Sequence, residues 1–400
     1  MMTTAQQELV TATVPILREH GVLLTSHFYK RMFTHNPELK HVFNMGNQQN
    51  SKQQTALALA VLAYAEHIEN PTVLLPEIDS IGQKHTSLDI RPEHYQIVGR
   101  HLIAAIGEVL GEAATPALLD AWTAAYKQLA QIMSGHEAGL YQAQTAKQGG
   151  WTGWRPFVLK RKVRESAEIT SFYLYPSDGG PVASFTPGQY VSVRLFLPEI
   201  NLVQPRQYSL SAAPNGAYYR ISVKKEIGSH HPDGMISNRL HNVVQEGDII
   251  EVSAPAGSFV LQPIAEKPVV FISGGVGQTP LVSMLESLIQ SGSNQPITWV
   301  HGCRNEDVHA FQEQVSQWDD QHAHISLHLF YDHHAGQSWA HPGFVDLQKL
   351  PAETLDSEAK YYICGPAPFI KKHVEYLTSR GIDHQHIHFE EFGPASLRLN

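Results

Sequence analysis

The spacing of apolar residues changes twice along the chain, near residue 157 and near residue 268, and no one-domain fold accommodates all three patterns. From 4 to 141 the period is helical, with Gly and Pro gathered mostly at breaks such as His35-Asn36-Pro37 and Arg91-Pro92, which predicts an all-α domain. TAKQGGWTGWRP (145–156) has three glycines, a proline and no apolar period, as a linker would. From Phe157 the period is two: QYVSVRLF (189–196), YYRISVK (218–224) and DIIEVS (248–253) alternate between turns at Pro187-Gly188, Asn215-Gly216 and Glu246-Gly247. That pattern predicts a small antiparallel β-barrel. After Pro268, apolar strands at 269–273, 298–301 and 361–364 are each followed by a helix-like stretch, which implies an α/β domain with a parallel sheet and ligands at its carboxyl ends. The expected division is therefore 1–144 all-α, 145–156 linker, 157–264 barrel and 265–400 α/β.

Length agrees, since 400 residues correspond to several domains at roughly 100 to 200 residues each. Charged residues are 17% of the chain and the net charge is −9, which leaves no electrostatic footprint for nucleic acid or an anionic membrane. No stretch approaches the roughly 18 unbroken apolar residues of a membrane span, and MMTTAQQELV lacks the basic and apolar parts of a signal peptide. A cytoplasmic location is expected. Cys303 and Cys364 are the only cysteines, too few for a disulfide framework or a thiolate metal site, so any metal needs mainly N or O ligands. Most of the 24 histidines fall among Gln, Asn and Asp, and their number alone says nothing of metal.

Polar residues on apolar helical stripes are more informative. Leu74, Ile78, Ile81, His85 and Leu88 recur at helical spacing, which puts His85 on a core-facing stripe. Leu118, Trp122, Tyr126, Leu129, Met133, Glu137 and Leu140 do the same for a carboxylate, whose burial costs several kcal/mol unless it is paired or protonated. Gln53 stands in line with Leu57, Val61, Tyr64 and Ile68, and Tyr29 neighbours Phe28 and Phe33. Each taken singly reads as a satisfied core residue; together they ask for a ligand.

The segments HFYKRMFTHNPELKHVFNM (27–45) and QKHTSLDIRPEHYQIVG (83–99) resemble the globin domain of the flavohemoglobins, the bacterial nitric oxide dioxygenases, and with the later motifs the resemblance spans nearly the whole chain. It implies a haem b whose iron is held by His85, with Tyr29 and Gln53 lining the oxygen-binding side, Phe43 wedging the porphyrin, and Tyr95 and Glu137 behind the histidine. A carboxylate acceptor gives an imidazole partial imidazolate character and raises its donation to iron. Tyr29 could then stabilise the negative charge developing on oxygen. Glutamine at 53, where many globins use histidine, departs from oxygen-storage proteins and agrees with this family.

In the barrel region, Arg206-Gln207-Tyr208-Ser209 follows Pro205 in an expected strand, with Arg206 and Tyr208 on one face and Ser209 on the other. Alone it reads as ordinary strand residues. Its order with Pro187-Gly188-Gln189-Tyr190 before it, and with Gly234-Met235-Ile236-Ser237-Asn238, Glu246-Gly247-Asp248 and Pro255-Ala256-Gly257-Ser258-Phe259 after it, resembles the FAD-binding barrel of the ferredoxin reductase family. Arginine supplies a bidentate fork for a flavin phosphate, and the turn from Gly234 to Asn238 opens a helix whose free amides suit a pyrophosphate. Tyr190 and Tyr208 offer flat faces to the flavin, and Ser209 a hydrogen bond to its reactive nitrogen. The polar loop GSHHPD (228–233) carries no assignment, and His230 and His231 read as solvated.

PVVFISGGVGQTPLVSMLESL (268–288) reads strand, glycine turn, helix. Gly274, Gly275 and Gly277 allow close approach of a pyrophosphate, Pro280 suits a first helical turn, and Gln278 and Thr279 lie between them, Thr279 as the expected cap. By itself the turn also fits simple sheet packing. Cys364-Gly365-Pro366 and Phe389-Glu390-Glu391-Phe392-Gly393-Pro394 complete the family pattern, which implies Cys364 and Glu390 near the nicotinamide and Phe392 against the flavin. Arg304, after the strand expected to end at His301, is a cation of the kind that favours a 2′-phosphate, but one arginine leaves NADH and NADPH both open. His384, His386 and His388 alternate as on one strand face, an incomplete ligand set for a metal.

Assembled, the resemblance implies hydride transfer from NAD(P)H to FAD, single-electron transfer to haem, and conversion of nitric oxide with O2 to nitrate. The partners are these small molecules, with no obligatory protein partner. A general diaphorase or peroxide reductase uses the same motifs and remains open on sequence. A gas sensor is harder to reconcile with an attached reductase.

Overall fold

The computed structural model describes residues 2–392 except 50, 229–232, 264–266, 334, 335, 337, 352 and 353. The histidines at 230, 231 and 334 and the Gly393-Pro394 end of the C-terminal motif lie outside the described residues. Two compact units are formed. The first comprises the chain through Arg155 together with Ser192–Arg206 and Val252–Ser258; the second comprises Pro156–Val191, Gln207–Glu251 and the chain from Phe259.

The first unit is built on helices α1 (Thr4–Thr11), α2 (Val14–His35), α3 (Met45–Gln49), α4 (Lys52–Glu66), α5 (Leu75–Ser87), α6 (Pro92–Leu110) and α7 (Pro116–Ala146). Their limits follow from local chemistry. Thr3 and Gln6 form a reciprocal capping box on α1, and Thr115 accepts from Leu118 N–H ahead of Pro116 at the start of α7. The apolar stripes of α2, α4, α6 and α7 meet in one core that includes Phe28, Met32, Ala65, Ile106 and Trp122. Helix α6 crosses α7 so closely that a Cβ at Gly99 would lie 2.3 Å from the Tyr126 ring. Helix α7 runs to Ala146, two residues into the segment expected as linker, since its buried face extends to Gln144, and the strand that follows begins at Trp154, so it takes the last three residues of that segment.

Strands β1 (Trp154–Arg164), β2 (Ile169–Pro176), β3 (Tyr190–Leu197), β4 (Leu202–Ser209) and β5 (Tyr219–Lys224), helix α8 (Met235–Asn242) and strand β6 (Ile249–Ser253) follow. The strands form a six-stranded sheet in the order β4-β3-β6-β1-β2-β5, and an antiparallel bridge between Leu210 and Ile221 joins its two ends. The expected barrel is thus present.

The remainder alternates: β7 (Val269–Gly274), α9 (Gln278–Gln290), β8 (Ile297–Cys303), α10 (Gln312–Gln321), β9 (Ile325–Tyr331), β10 (Ala340–Pro342), β11 (Lys360–Gly365), α11 (Ala367–Ser379) and β12 (Ile387–Glu391). The parallel sheet has the order β10-β9-β8-β7-β11-β12 and is packed on both faces, by Phe271, Leu281, Met284 and Trp299 on one and Val270, Ile272, Ile363 and Val374 on the other. Strand β8 runs two residues past His301. The histidines at 384, 386 and 388 do not share a strand face, because Asp383 accepts from Gln385 N–H at 2.9 Å and winds His384–His386 into a 3-10 turn before β12.

Candidate functional site

The last turn of α5 carries His85, the first turn of α6 carries Tyr95, and α7 carries Glu137 on its buried stripe. These three residues, from three successive helices, meet. His85 Nδ1 is 2.7 Å from Glu137 Oε1 and 3.0 Å from the Tyr95 hydroxyl, which donates to the same carboxylate oxygen at 2.6 Å. Glu137 is 2% exposed, whereas the His85 side chain is 31% exposed, so the imidazole emerges from a buried acceptor. With Nδ1–H donated to the carboxylate, Nε2 carries the lone pair and is the nitrogen able to bind a metal. The Tyr126 hydroxyl donates to the Tyr95 main-chain oxygen at 2.7 Å and fixes the third member. Burial first, and the Glu137 carboxylate second, raise the Tyr95 hydroxyl well above the usual tyrosine range, so it stays a proton donor.

Tyr29, on α2, is buried among Phe28, Phe33 and Phe43, with the Phe43 ring edge-on to it at 5.9 Å between centroids. Burial raises its hydroxyl above the usual range, while the carboxamides of Gln53 and Gln48 act in the opposite sense. Gln53 is half-buried. A lone-pair imidazole nitrogen on a carboxylate-backed helix, with a separate buried hydroxyl among aromatic rings, is a donor set that fits haem. Sequence reasoning did not find Gln48 or its partner Gln54, nor Gln83 and Ser87 on α5. Gln83 Oε1 accepts from Gly257 N–H at 3.1 Å, and Ser192 donates to Ser87 Oγ at 3.0 Å.

Arg206 lies in β4, and its Nη1 donates to the Pro205 main-chain oxygen at 2.6 Å. Gln207 and Tyr208 are half-buried, Ser209 is buried, and Tyr190 opens β3. Gly234 is the N-cap of α8. The side chains of Ser237 and Asn238 turn back on the chain: Ser237 donates to Gly234 O at 3.0 Å, and Asn238 Nδ2 donates to Glu226 O at 2.7 Å and to Gly234 O at 3.0 Å. They therefore shape the turn, and the main-chain amides of the first turn of α8 are the groups left for an anion.

In the parallel sheet, Gly275–Gly277 form a 3-10 turn, and α9 starts at Gln278 with Gly277 as its N-cap. Thr279 is therefore inside the helix and donates to Val276 O at 3.1 Å instead of capping it, while Pro280 sits within the first turn as expected. A Cβ at Gly277 would lie 2.2 Å from Cys364 O, so the turn and the end of β11 approach as only glycine permits. Gln278 is fully buried, and both of its side-chain polar atoms lack a hydrogen-bond partner among the described residues.

Strand register sets His301, Ser273, Cys364 and Glu390 in one row across β8, β7, β11 and β12, at the carboxyl ends where this architecture binds ligands. Burial, and then the Glu390 carboxylate, raise the Cys364 thiol well above its ordinary value, which keeps it neutral. Ser273 and His301 were not identified from sequence; Ser273 Oγ is 2.8 Å from His301 Nδ1, and His301 stacks on His309 at 4.7 Å. Gly365 ends β11, Pro366 precedes α11, and Phe392 is exposed just beyond β12. Arg304 is ion-paired with Glu168, a partner that competes with a 2′-phosphate for the guanidinium.

Comparison with known proteins gives one pattern over the whole chain. The globin family model matches residues 26–133, and the oxidoreductase NAD-binding domain model matches 271–375. A flavohemoprotein of Bordetella parapertussis (strain 12822) is 50% identical over 403 residues, covering 99% of this chain and 100% of the relative. One from Chromobacterium violaceum is 48% identical, covering 98% of each. The crystal structure of a flavohemoglobin from Malassezia yamatoensis, with FAD and haem bound, superposes with a TM-score of 0.87 at 25% identity, covering 98% of this chain and 99% of that one. The FAD/NAD-binding domain of a nitric oxide dioxygenase from Vibrio cholerae is 37% identical with a TM-score of 0.57, covering 60% of this chain and 99% of that one.

Proposed function

Because the chain belongs to the flavohemoproteins, an oxidoreductase family, we propose that it is a nitric oxide dioxygenase that uses NAD(P)H as its electron source. It takes haem, FAD and a nicotinamide dinucleotide, and acts on small molecules. Nitric oxide, O2 and one electron together make nitrate, so a two-electron hydride supports two turnovers. Flavin supplies the conversion from hydride to single electrons, and haem iron the binding and reduction of O2.

The protein's own residues then have distinct tasks. His85 holds the iron through Nε2, and Glu137 and Tyr95 hold His85 in the tautomer this requires. Tyr29 offers its hydroxyl to charge developing on the ligand, Gln53 helps orient it, and Phe43 packs against the porphyrin. Arg206 and the amides at the start of α8 bind the flavin phosphates, while Tyr190, Gln207, Tyr208 and Ser209 bind the isoalloxazine and its ribityl chain. The glycine turn at 274–277 receives the nicotinamide dinucleotide, with Cys364, Glu390 and Phe392 at its redox end. We infer a cytoplasmic setting, where NAD(P)H is available; among the described residues no helix is long and apolar enough to cross a membrane.

The observation that carries the proposal is the double acceptance by Glu137 Oε1, at 2.7 Å from His85 and 2.6 Å from Tyr95, which raises imidazole donation in the way O2 reduction needs and O2 storage does not. The test is direct. Purified protein should show a Soret band with a flavin shoulder, and NADH with O2 should support nitric oxide consumption with nitrate as product. NADH oxidation that nitric oxide does not accelerate, with no nitrate formed, would leave only a diaphorase.

A further inference from the structure

Two glutamines near Tyr29 have no task in the chemistry above. Gln54, buried on α4 beside Gln53, donates from Nε2 to Gln48 Oε1 at 2.9 Å and to the Gln48 main-chain oxygen at 3.2 Å. The Gln54 main-chain oxygen accepts from the Thr25 hydroxyl at 2.9 Å. Thr25 lies one turn before Tyr29 on α2, so Gln54 ties α2, α3 and α4 together at the level of the Tyr29 side chain. The hold on Gln48 is specific to one end of its carboxamide. Its oxygen is taken by Gln54, and its Nε2 is buried with no hydrogen-bond partner among the described residues, an N–H still to be directed. Both Gln48 and Gln53 act on the Tyr29 hydroxyl in the sense of amide donors, stabilising negative charge on its oxygen.

A tyrosine hydroxyl has one proton to give and lone pairs to receive. Acceptor neighbours would consume that proton, and donor neighbours leave it free. We propose that Gln54 and Gln48 form a bracket that presents an amide N–H to the Tyr29 oxygen, so that the single Tyr29 proton is directed at the diatomic ligand in the haem pocket. Gln48 and Gln54 are then positioning residues acting through Tyr29, and the proposal rests on the haem reading given above.

Gln48→Met and Gln54→Met remove the amide donor or its anchor while nearly keeping length, and Gln48→Glu keeps shape but offers only oxygen acceptors. Two quantities are measured on intact, haem-loaded protein: the O2 dissociation rate by stopped flow, and the C–O stretching frequency of the reduced carbon monoxide adduct, which reports donors near the ligand. Either Met variant should raise O2 dissociation roughly 3- to 10-fold, the scale of one neutral hydrogen bond, and move the C–O stretch upward. Gln48→Glu should match Tyr29→Phe, because a carboxylate captures the proton. In a Tyr29→Phe background none of the glutamine changes should add anything. An unchanged rate and stretch in Gln48→Met, or an effect that persists in full without the Tyr29 hydroxyl, would overturn the bracket. Absence of a Soret band from the unmodified protein would instead overturn the haem reading.

Discussion

Glu137 receives the His85 Nδ1 proton at 2.7 Å on a carboxylate that is 2% exposed, while the imidazole it holds is itself only partly covered. A charge kept away from water in this way acts almost wholly on its two partners. Glu137→Gln keeps the shape and removes the charge. Haem should be retained, with nitric oxide turnover lowered roughly 10- to 100-fold, the scale of losing a partner behind a metal ligand. Tyr95→Phe, which leaves the carboxylate its contact with His85, should lower turnover less. Unaltered turnover in Glu137→Gln would mean that the carboxylate has no part in tuning the iron.

His85→Ala removes the one nitrogen in this cluster able to bind iron. Nitric oxide consumption should vanish, while NADH-driven ferricyanide reduction, which needs only the flavin and nicotinamide sites, should stay within a few fold of normal. Retained nitric oxide turnover refutes the assignment of His85, and loss of both activities refutes the independence of the reductase.

At Gly277 an added methyl would meet Cys364 O at 2.2 Å, so Gly277→Ala must displace either the glycine turn or the end of β11. FAD content should be preserved, and the KM for NADH in ferricyanide reduction should rise by roughly tenfold or more, the cost of a misplaced ligand cradle. An unchanged KM would show that the dinucleotide does not use this turn.

Acid should loosen the protein through buried histidines. Burial lowers His309 to about 4, and burial followed by Lys372 lowers His373 to about 4, against an ordinary value of 6.5. Both are neutral in the folded state and take up a proton more readily when unfolded. Their contribution is therefore complete above about pH 6.5 and is lost as pH falls toward 4, by up to about 3 kcal/mol each. The urea midpoint should fall across this window, and His309→Gln should flatten the fall. A slope identical in the variant would exclude His309 as a contributor.

How much of this was legible beforehand depended on whether a residue broke a pattern. His85 and Glu137 stood out because each interrupts an apolar helical stripe, and the glycine turn because strand, glycines and helix follow in order. Gln48 lies in a five-residue helix too short to show any period, and Gln54 is masked by its neighbour Gln53. Ser87, Ser192 and Ser253 are buried, but serine is common in exposed segments and carries no spacing signal. Local capping also overrode periodicity. Asp383 turned an expected strand of alternating histidines into a 3-10 turn, and Gly277 began α9 before Thr279 was reached.

The hydrogen bonds of α5 to residues that follow the glycine-rich segment 145–156 bear on how such a protein can be cut. Ser87, which also donates to Lys84 O at 2.8 Å, accepts from Ser192, whose main-chain N–H is bonded to Ser253 Oγ at 2.9 Å, and Gln83 accepts from Gly257. Gln204 donates to Lys40 O at 2.7 Å and accepts from Met45 N–H at 3.0 Å. A truncation within residues 145–156 would thus strip a buried serine and several main-chain groups of their partners. Because Ser192–Arg206 and Val252–Ser258 belong to the same compact unit as the helices, a cut confined to residues 145–156 would leave part of that unit behind on the other fragment.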